Sequence, residues 1–176
     1  MFKHHQSLNL QQLVFLGILV AINIVFQRFS FGPATVKVGL GFLGSMLLAY
    51  FYGPWWGSLG AAATDLLSSA IFGQEGGFFL GFTFSAMLAV FIYGWFLYQK
   101  PIKLWRIAAA TILVTIFVNM LLNTYWLHLM YGLNLKAAFA QRLLKELITP
   151  WFQILVAWLV LPAVGRIKTE KWLHKS

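Results

Sequence analysis

The sequence predicts an all-α integral membrane protein, a bundle of six transmembrane helices with both termini in the cytoplasm. Three observations predict it. Hydrophobic residues make up 60% of the 176 positions and charged residues only 10%, against about 25% charged in soluble domains. The apolar residues fall into six runs, each near the ~20 residues that carry a helix across a bilayer. The Lys and Arg residues sit between those runs, with an excess on one side. Six spans of ~20 residues use ~120 positions and leave about 56 for turns and ends, so residues 1–176 read as a single transmembrane domain. A soluble enzyme domain, or an attached nucleotide-binding domain, does not fit.

The first run covers about 10–26 and ends at Gln27-Arg28. It lacks a small-residue cleavage site and carries Gln11, Gln12 and Asn23, so it reads as a retained helix rather than a cleaved signal peptide. A polar stretch, 28–37, leads into a second run at about 38–52. Gly53-Pro54-Trp55-Trp56-Gly57 follows as a tight reversal, since Gly and Pro break helices and Trp suits the headgroup level. The third run, about 58–72, is short and holds Asp65 near its middle. After Gly73-Gln74-Glu75-Gly76-Gly77 comes a fourth, about 78–98, ending at Gln99-Lys100-Pro101. The fifth, about 107–131, ends in the polar-aromatic stretch beginning Asn123-Thr124-Tyr125-Trp126. The sixth, about 137–164, opens with Gln141, Arg142, Lys145 and Glu146 and has Pro150 inside it.

Orientation follows from the 13 Lys and Arg. Lys3, Lys100, Lys103, Arg106, Arg166, Lys168, Lys171 and Lys175 fall on one side; Arg28, Lys37, Lys136, Arg142 and Lys145 fall on the other. The richer side is placed in the cytoplasm. With only 4 Asp and Glu the net charge is +9. In a soluble chain that balance points to nucleic acid; here the charges lie between apolar runs, and the lipid bilayer is the partner instead.

Motifs for chemistry are scarce. The sequence has no Walker A pattern, no H-E-x-x-H and no Cys, so nothing points to ATP hydrolysis, a metal site or a cofactor. The four His (His4, His5, His128, His174) lack metal-ligand spacing, and Asp65 and Glu146 are far apart. Gly39-Leu40-Gly41-Phe42-Leu43-Gly44 spells G-x-G-x-x-G, with Asp65 about 20 residues on. That motif needs a strand before it and a helix after it. Inside an apolar run, close helix packing explains the glycines better. Small residues four apart recur at Gly17/Ala21, Gly53/Gly57, Gly57/Ala61 and Gly77/Gly81, a spacing that lets helix backbones approach. They serve packing within the chain or, at Gly17 and Ala21, docking of another membrane subunit.

The outer face holds Arg28, Lys37, Gln74, Asn123, Tyr125, Trp126, His128, Arg142 and Lys145. Ionisable groups at or in a membrane are costly and are functional candidates, although each Lys or Arg alone also suits lipid phosphates. Together they outnumber the acids there, which favours a ligand carrying carboxylate or phosphate over a cation. Asp65 accepts two hydrogen bonds side by side and so matches the 2-aminopyrimidinone edge of a pterin; the alternative is a structural carboxylate paired with a neighbouring helix. Trp126 and Tyr125 suit stacking on a flat heterocycle or an interfacial aromatic belt.

These features resemble the vitamin-binding S components of energy-coupling factor (ECF) transporters. The resemblance rests on six short runs without an ATPase motif, and on Gly53-Pro54-Trp55-Trp56-Gly57, Asp65-Leu66-Leu67, Gly81-Phe82-Thr83 and Tyr93-Gly94. Asn123-Thr124-Tyr125-Trp126-Leu127 followed by Arg142 resembles the family's folate-specific branch. The resemblance implies capture of the vitamin outside the cell, with a separate transmembrane coupling subunit and two ATPases supplying the power. It implies that Gly17-Ile18-Leu19-Val20-Ala21 stands where the family often has A-x-x-x-A for contact with the coupling subunit. Ligand contacts are expected after the first, third and fifth helices: Arg28, Lys37 and Arg142 for the glutamate carboxylates of folate, Asp65, Gln74 and Asn123 for the pterin edges, and Trp126 for stacking. The stretches 29–36 and 73–77 are expected to act as lids. The competing expectations are an S component for another anionic vitamin, such as pantothenate or biotin, and a ligand-free membrane scaffold.

Overall fold

The computed structural model describes residues 8–31, 38–73, 78–132 and 134–165. Among them the chain is almost wholly helical. The elements are α1 (Leu10–Arg28), β1 (Ser30–Phe31), β2 (Val38–Gly39), α2 (Gly41–Phe72), α3 (Leu80–Leu97), α4 (Leu104–Leu113), a π-helix (Val114–Leu122), α5 (Asn123–Tyr131) and α6 (Leu135–Gly165). Four helical segments are long and apolar enough to cross a membrane: Leu10–Arg28, Leu80–Leu97, Leu104–Tyr131 and Lys145–Gly165. Large apolar side chains such as Leu13, Ile18, Trp151, Leu155 and Leu159 stand exposed along them. In lipid such rows are solvated, and helices satisfy their own backbone groups. The chain is an integral membrane protein.

At the start of α1 the Asn9 N–H donates to Gln12 Oε1 at 3.0 Å, one half of a capping box. After α1 the chain forms a two-residue antiparallel ladder, Ser30 opposite Gly39 and Phe31 opposite Val38. The polar stretch expected at 28–37 is therefore pinned at its two ends.

The expected boundary between the second and third runs is the non-helical residue Gly53 (φ 72°, ψ −168°), which joins two helical limbs, together labelled α2. The two limbs fold back on each other. A Cβ on Gly57 would lie 3.0 Å from the Leu48 carbonyl oxygen, whereas nine residues of straight helix separate two positions by about 13 Å. The reversal foreseen at Gly53-Pro54-Trp55-Trp56-Gly57 is present, but it needs no loop. Pro54 is suited to the first helical position, where its missing N–H is no loss, so the second limb starts at once.

Glycines set the helix spacing. A Cβ at Gly44 would lie 2.7 Å from the Asn23 Cα, and one at Gly94 would lie 2.7 Å from the Pro54 Cα. Thus α1 crosses the first limb of α2 at Asn23, and α3 crosses the bend. The G-x-G-x-x-G stretch is accounted for in the same way, with Gly41 against the Gln27 side chain and Gly44 against Asn23. The core fills the space between these crossings. Met46, Leu48, Ala49, Val90, Ile107, Ala110, Ala157 and Leu161 have no exposed surface.

Contacts also show which ends lie together. The Tyr52 hydroxyl donates to the Gln12 carbonyl at 2.5 Å, Gly53 faces the Tyr98 ring, and Gly165 faces Tyr50 and Ile102. The start of α1, the bend of α2, the α3–α4 connection and the end of α6 therefore share one end of the bundle. Lys100, Lys103 and Arg106 sit in that connection or just after it.

The contrast between two glycines is testable. Gly53→Ala forces a side chain into a left-handed φ and onto the Tyr98 ring, and should lower stability by about 1–3 kcal/mol. Gly17→Ala meets nothing within 4 Å and should stay within about 1 kcal/mol of wild type, on the stabilising side. Thermal unfolding in detergent measures both.

Candidate ligand-binding site

Between the start of α2 and the facing parts of α3, the π-helix and α6 lies a cavity of about 310 Å³, at the small end of the roughly 300–1,000 Å³ range of small-molecule sites. Its polar wall comes from Gln27 at the end of α1, Ser45 in the first limb of α2, Tyr93 in α3, Asn119 in the π-helix and Gln153 in α6. Phe42, Ala89 and Val114 supply apolar surface. Gly39 and Gly41 line it without side chains, at the point where the ladder hands over to α2. Neutral amides, hydroxyls and a flat apolar side suit a polar, planar group.

The π-helix matters here. A wider turn shifts the register of the residues after it and is common at functional sites. It carries Asn119 into the cavity wall and puts Asn123 one turn further along. The Asn123 Nδ2 donates to Asn119 Oδ1 at 3.4 Å, and the Arg142 guanidinium donates to the Asn119 backbone carbonyl at 3.0 Å. Asn119 Nδ2 in turn donates to Glu146 Oε2 at 3.4 Å. Asn123 and Arg142, far apart in sequence, thus meet at one residue of the wall.

A second group forms toward the C-terminal end of α2. The Arg28 guanidinium donates to Ser68 Oγ at 3.1 Å and to the Ser68 carbonyl at 3.4 Å, and lies 3.9 Å from the centre of the Phe72 ring. One turn before Ser68, Asp65 Oδ2 accepts from the Thr83 hydroxyl at 2.6 Å, tying α2 to α3. Trp126 lies between the groups. Its indole N–H donates to Ser85 Oγ at 3.0 Å, and its ring sits 5.6 Å from Phe79 and 5.4 Å from Tyr125. A Cβ on Gly81 would lie 2.6 Å from the indole, so Trp126 packs flat on α3.

Of the residues expected to bind ligand, Arg28 and Asp65 are joined through α2, Asn123 and Arg142 are joined through Asn119, and Trp126 is seated on α3. Lys37 and Gln74, and most of both expected lid stretches, lie outside the described residues. None of the five described residues is among those lining the cavity: Arg28 follows Gln27, Asn123 and Arg142 are one hydrogen bond away at Asn119, and Asp65 and Trp126 are bonded to Thr83 and Ser85, outside its lining. The lining amides Gln27, Asn119 and Gln153 were not foreseen, and neither was Ser45. Polar amides inside otherwise apolar runs were the available signal, because such groups are expensive in lipid unless they have partners or a use. Gly17 and Ala21 are exposed on α1, away from the cavity. Among the described residues, no group of three or more His, Asp or Glu is gathered as for a metal ion.

Residues 11–165 match the family model described as "ECF transporter, substrate-specific component". The "Folate transporter FolT" of Clostridium novyi (strain NT) is 34% identical over 137 residues, covering 77% of this chain and 79% of the relative. The protein of the same name from Leuconostoc mesenteroides subsp. mesenteroides is 34% identical over 162 residues, covering 88% and 86%. Among solved structures, the "Crystal structure of FolT bound with folic acid" superposes with a TM-score of 0.78 at 35% identity, covering 85% of this chain and 92% of that one. The chain belongs to the family of substrate-specific components of ECF transporters.

Proposed function

We propose that this protein is the folate-binding S component of an ECF-type transporter, and not an enzyme. It captures the vitamin at the outer face for delivery across the membrane, powered by partner ATPases. The observation that carries the reading is the likeness, over most of its length, to the FolT structure with folic acid. Relatives named as folate transporters match at 34% identity. They do not favour pantothenate or biotin, and they speak against a scaffold without a ligand.

The site's chemistry supports this reading. Folate has two unlike ends, a flat pterin and a glutamate with carboxylates. The cavity with its neutral amides suits the flat end. Arg28 suits the charged end, because its partners Ser68 and Phe72 are neutral and leave its charge available to an anion. Lys37 and Arg142 take the same role in the proposal. Asp65, Gln74 and Asn123 serve the polar edges of the pterin, and Trp126 the stacking. The stretches 29–36 and 73–77 act as lids over them. The ladder at Ser30–Phe31 and Val38–Gly39 holds the first of these at its base.

The proposed topology is one domain of six passes with both termini cytoplasmic, α2 making two of them as its limbs double back at Gly53. The basic Lys100, Lys103 and Arg106 at the end shared by the start of α1 and the end of α6 support it. The proposed partners are a transmembrane coupling subunit and two ATPases. On α1, Gly17 has nothing within 4 Å of a would-be Cβ, and Ala21 lies exposed one turn on. That flat strip suits close docking of a partner helix.

Titrating the detergent-purified protein with folate, following quenching of its 8 Trp, tests the reading. One-site nanomolar saturation that excess pantothenate or biotin leaves unchanged is expected. No change at high micromolar folate, in folded protein, rules the folate reading out. Arg28→Ala and Arg142→Ala should each weaken binding by about 1.5–3 kcal/mol, the range for a charge-assisted hydrogen bond; wild-type affinity in both would mean the charged end lies elsewhere. Gly17→Leu should bind folate normally yet lose uptake in cells carrying the whole transporter. Unimpaired uptake would move the docking strip off α1.

A further inference from the structure

One carboxylate inside the fold has no part in the proposed ligand contacts. Glu146 is only 6% exposed, in α6, one turn after Arg142. A buried carboxylate is costly unless hydrogen-bonded and paired. Its side chain reaches the π-helix, where it accepts from Asn119 Nδ2, and Asn119 is part of the cavity wall.

An asparagine amide has two N–H donors on nitrogen and two lone pairs on oxygen, and its two orientations differ only in which atom faces which neighbour. Here the neighbours decide. The nitrogen of Asn119 is turned to Glu146, whose Oε2 accepts from it. On the other side the Asn123 amide donates and takes the Asn119 oxygen. The Arg142 guanidinium holds the Asn119 backbone through its carbonyl, and it lies one turn from Glu146 on the same helix. These contacts use one N–H and one lone pair of the Asn119 side chain. One donor and one acceptor of this cavity-lining side chain remain.

We infer that Glu146 is a positioning residue for ligand recognition, which orients the Asn119 amide so that it presents its remaining donor and acceptor to a lactam-type edge of the bound heterocycle. The inference rests on the reading of this cavity as the ligand site. It assigns specificity to a residue that touches no ligand and to an asparagine in the only π-helical turn among the described residues.

The test is a double-mutant cycle on the purified protein, read by folate titration. Asn119→Leu and Glu146→Leu should each weaken binding about tenfold or more. The double variant should be no weaker than Asn119→Leu by more than about threefold, because the two act through one contact. Glu146→Gln keeps an acceptor of the same shape and should stay within about threefold of wild type. Wild-type affinity in Glu146→Leu, multiplying losses in the double variant, or failure of Glu146→Gln to rescue overturns the inference. Glu146→Ala replaces Glu146→Leu in the cycle if the leucine variant does not fold. If the wild type binds no folate, the ligand reading fails by itself. Hydrogen exchange of residues 114–122 in ligand-free protein then judges the positioning role. Faster exchange in Glu146→Ala than in Glu146→Gln supports it, and equal exchange overturns it.

Discussion

Close backbone approach at a few glycines is the constraint on which the rest of the structure depends. In lipid the hydrophobic effect does not press helices together, so association rests on van der Waals packing and on polar contacts between helices. At Gly44 and Gly94 the neighbouring backbone stands where a Cβ would be. Those two crossings fix α1 on the first limb of α2, and α3 on its bend. The first crossing lies beside the cavity, since Gln27 and Ser45 line it, and the second lies at the bend. The cavity is walled by α1, the first limb of α2, α3, the π-helix and α6.

Much of this was legible in the sequence because it depends on composition and on breakers. Hydrophobic runs announce spans whatever their packing, and Gly53-Pro54 announces a reversal through backbone geometry alone. The second and third runs read as separate because Gly-Pro breaks a helix, and they form two limbs; that Pro54 begins the second limb without a loop shows only once the limbs are seen doubled back. The π-helix was illegible. Its wider turns answer to local packing in the run Val114–Leu122, which carries no breaker and reads as ordinary apolar helix.

Of the candidate site, the sequence exposed the charged groups and not the cavity. Arg28, Asp65, Asn123 and Arg142 stood out because charged and polar groups near a membrane face are conspicuous, and each has a definite partner in the fold. The wall itself is built largely from neutral groups, such as Gln27, Ser45, Asn119 and Gln153, scattered over several helices. Nothing in one dimension tells that they converge. Asn119 gathers these two kinds of residue, since it faces the cavity and also receives Asn123 and Arg142.

The first helix joins two places that otherwise have nothing in common. Gln27, near one end of α1, is cavity wall, while Gly17, ten residues earlier, faces outward with no neighbour. An unbroken helix separates them by about 15 Å, and the Tyr52 hydroxyl grips its far end through the Gln12 carbonyl. Under the proposed function, a wall residue of the ligand cavity and the strip offered to a partner are thus carried by a single rigid helix.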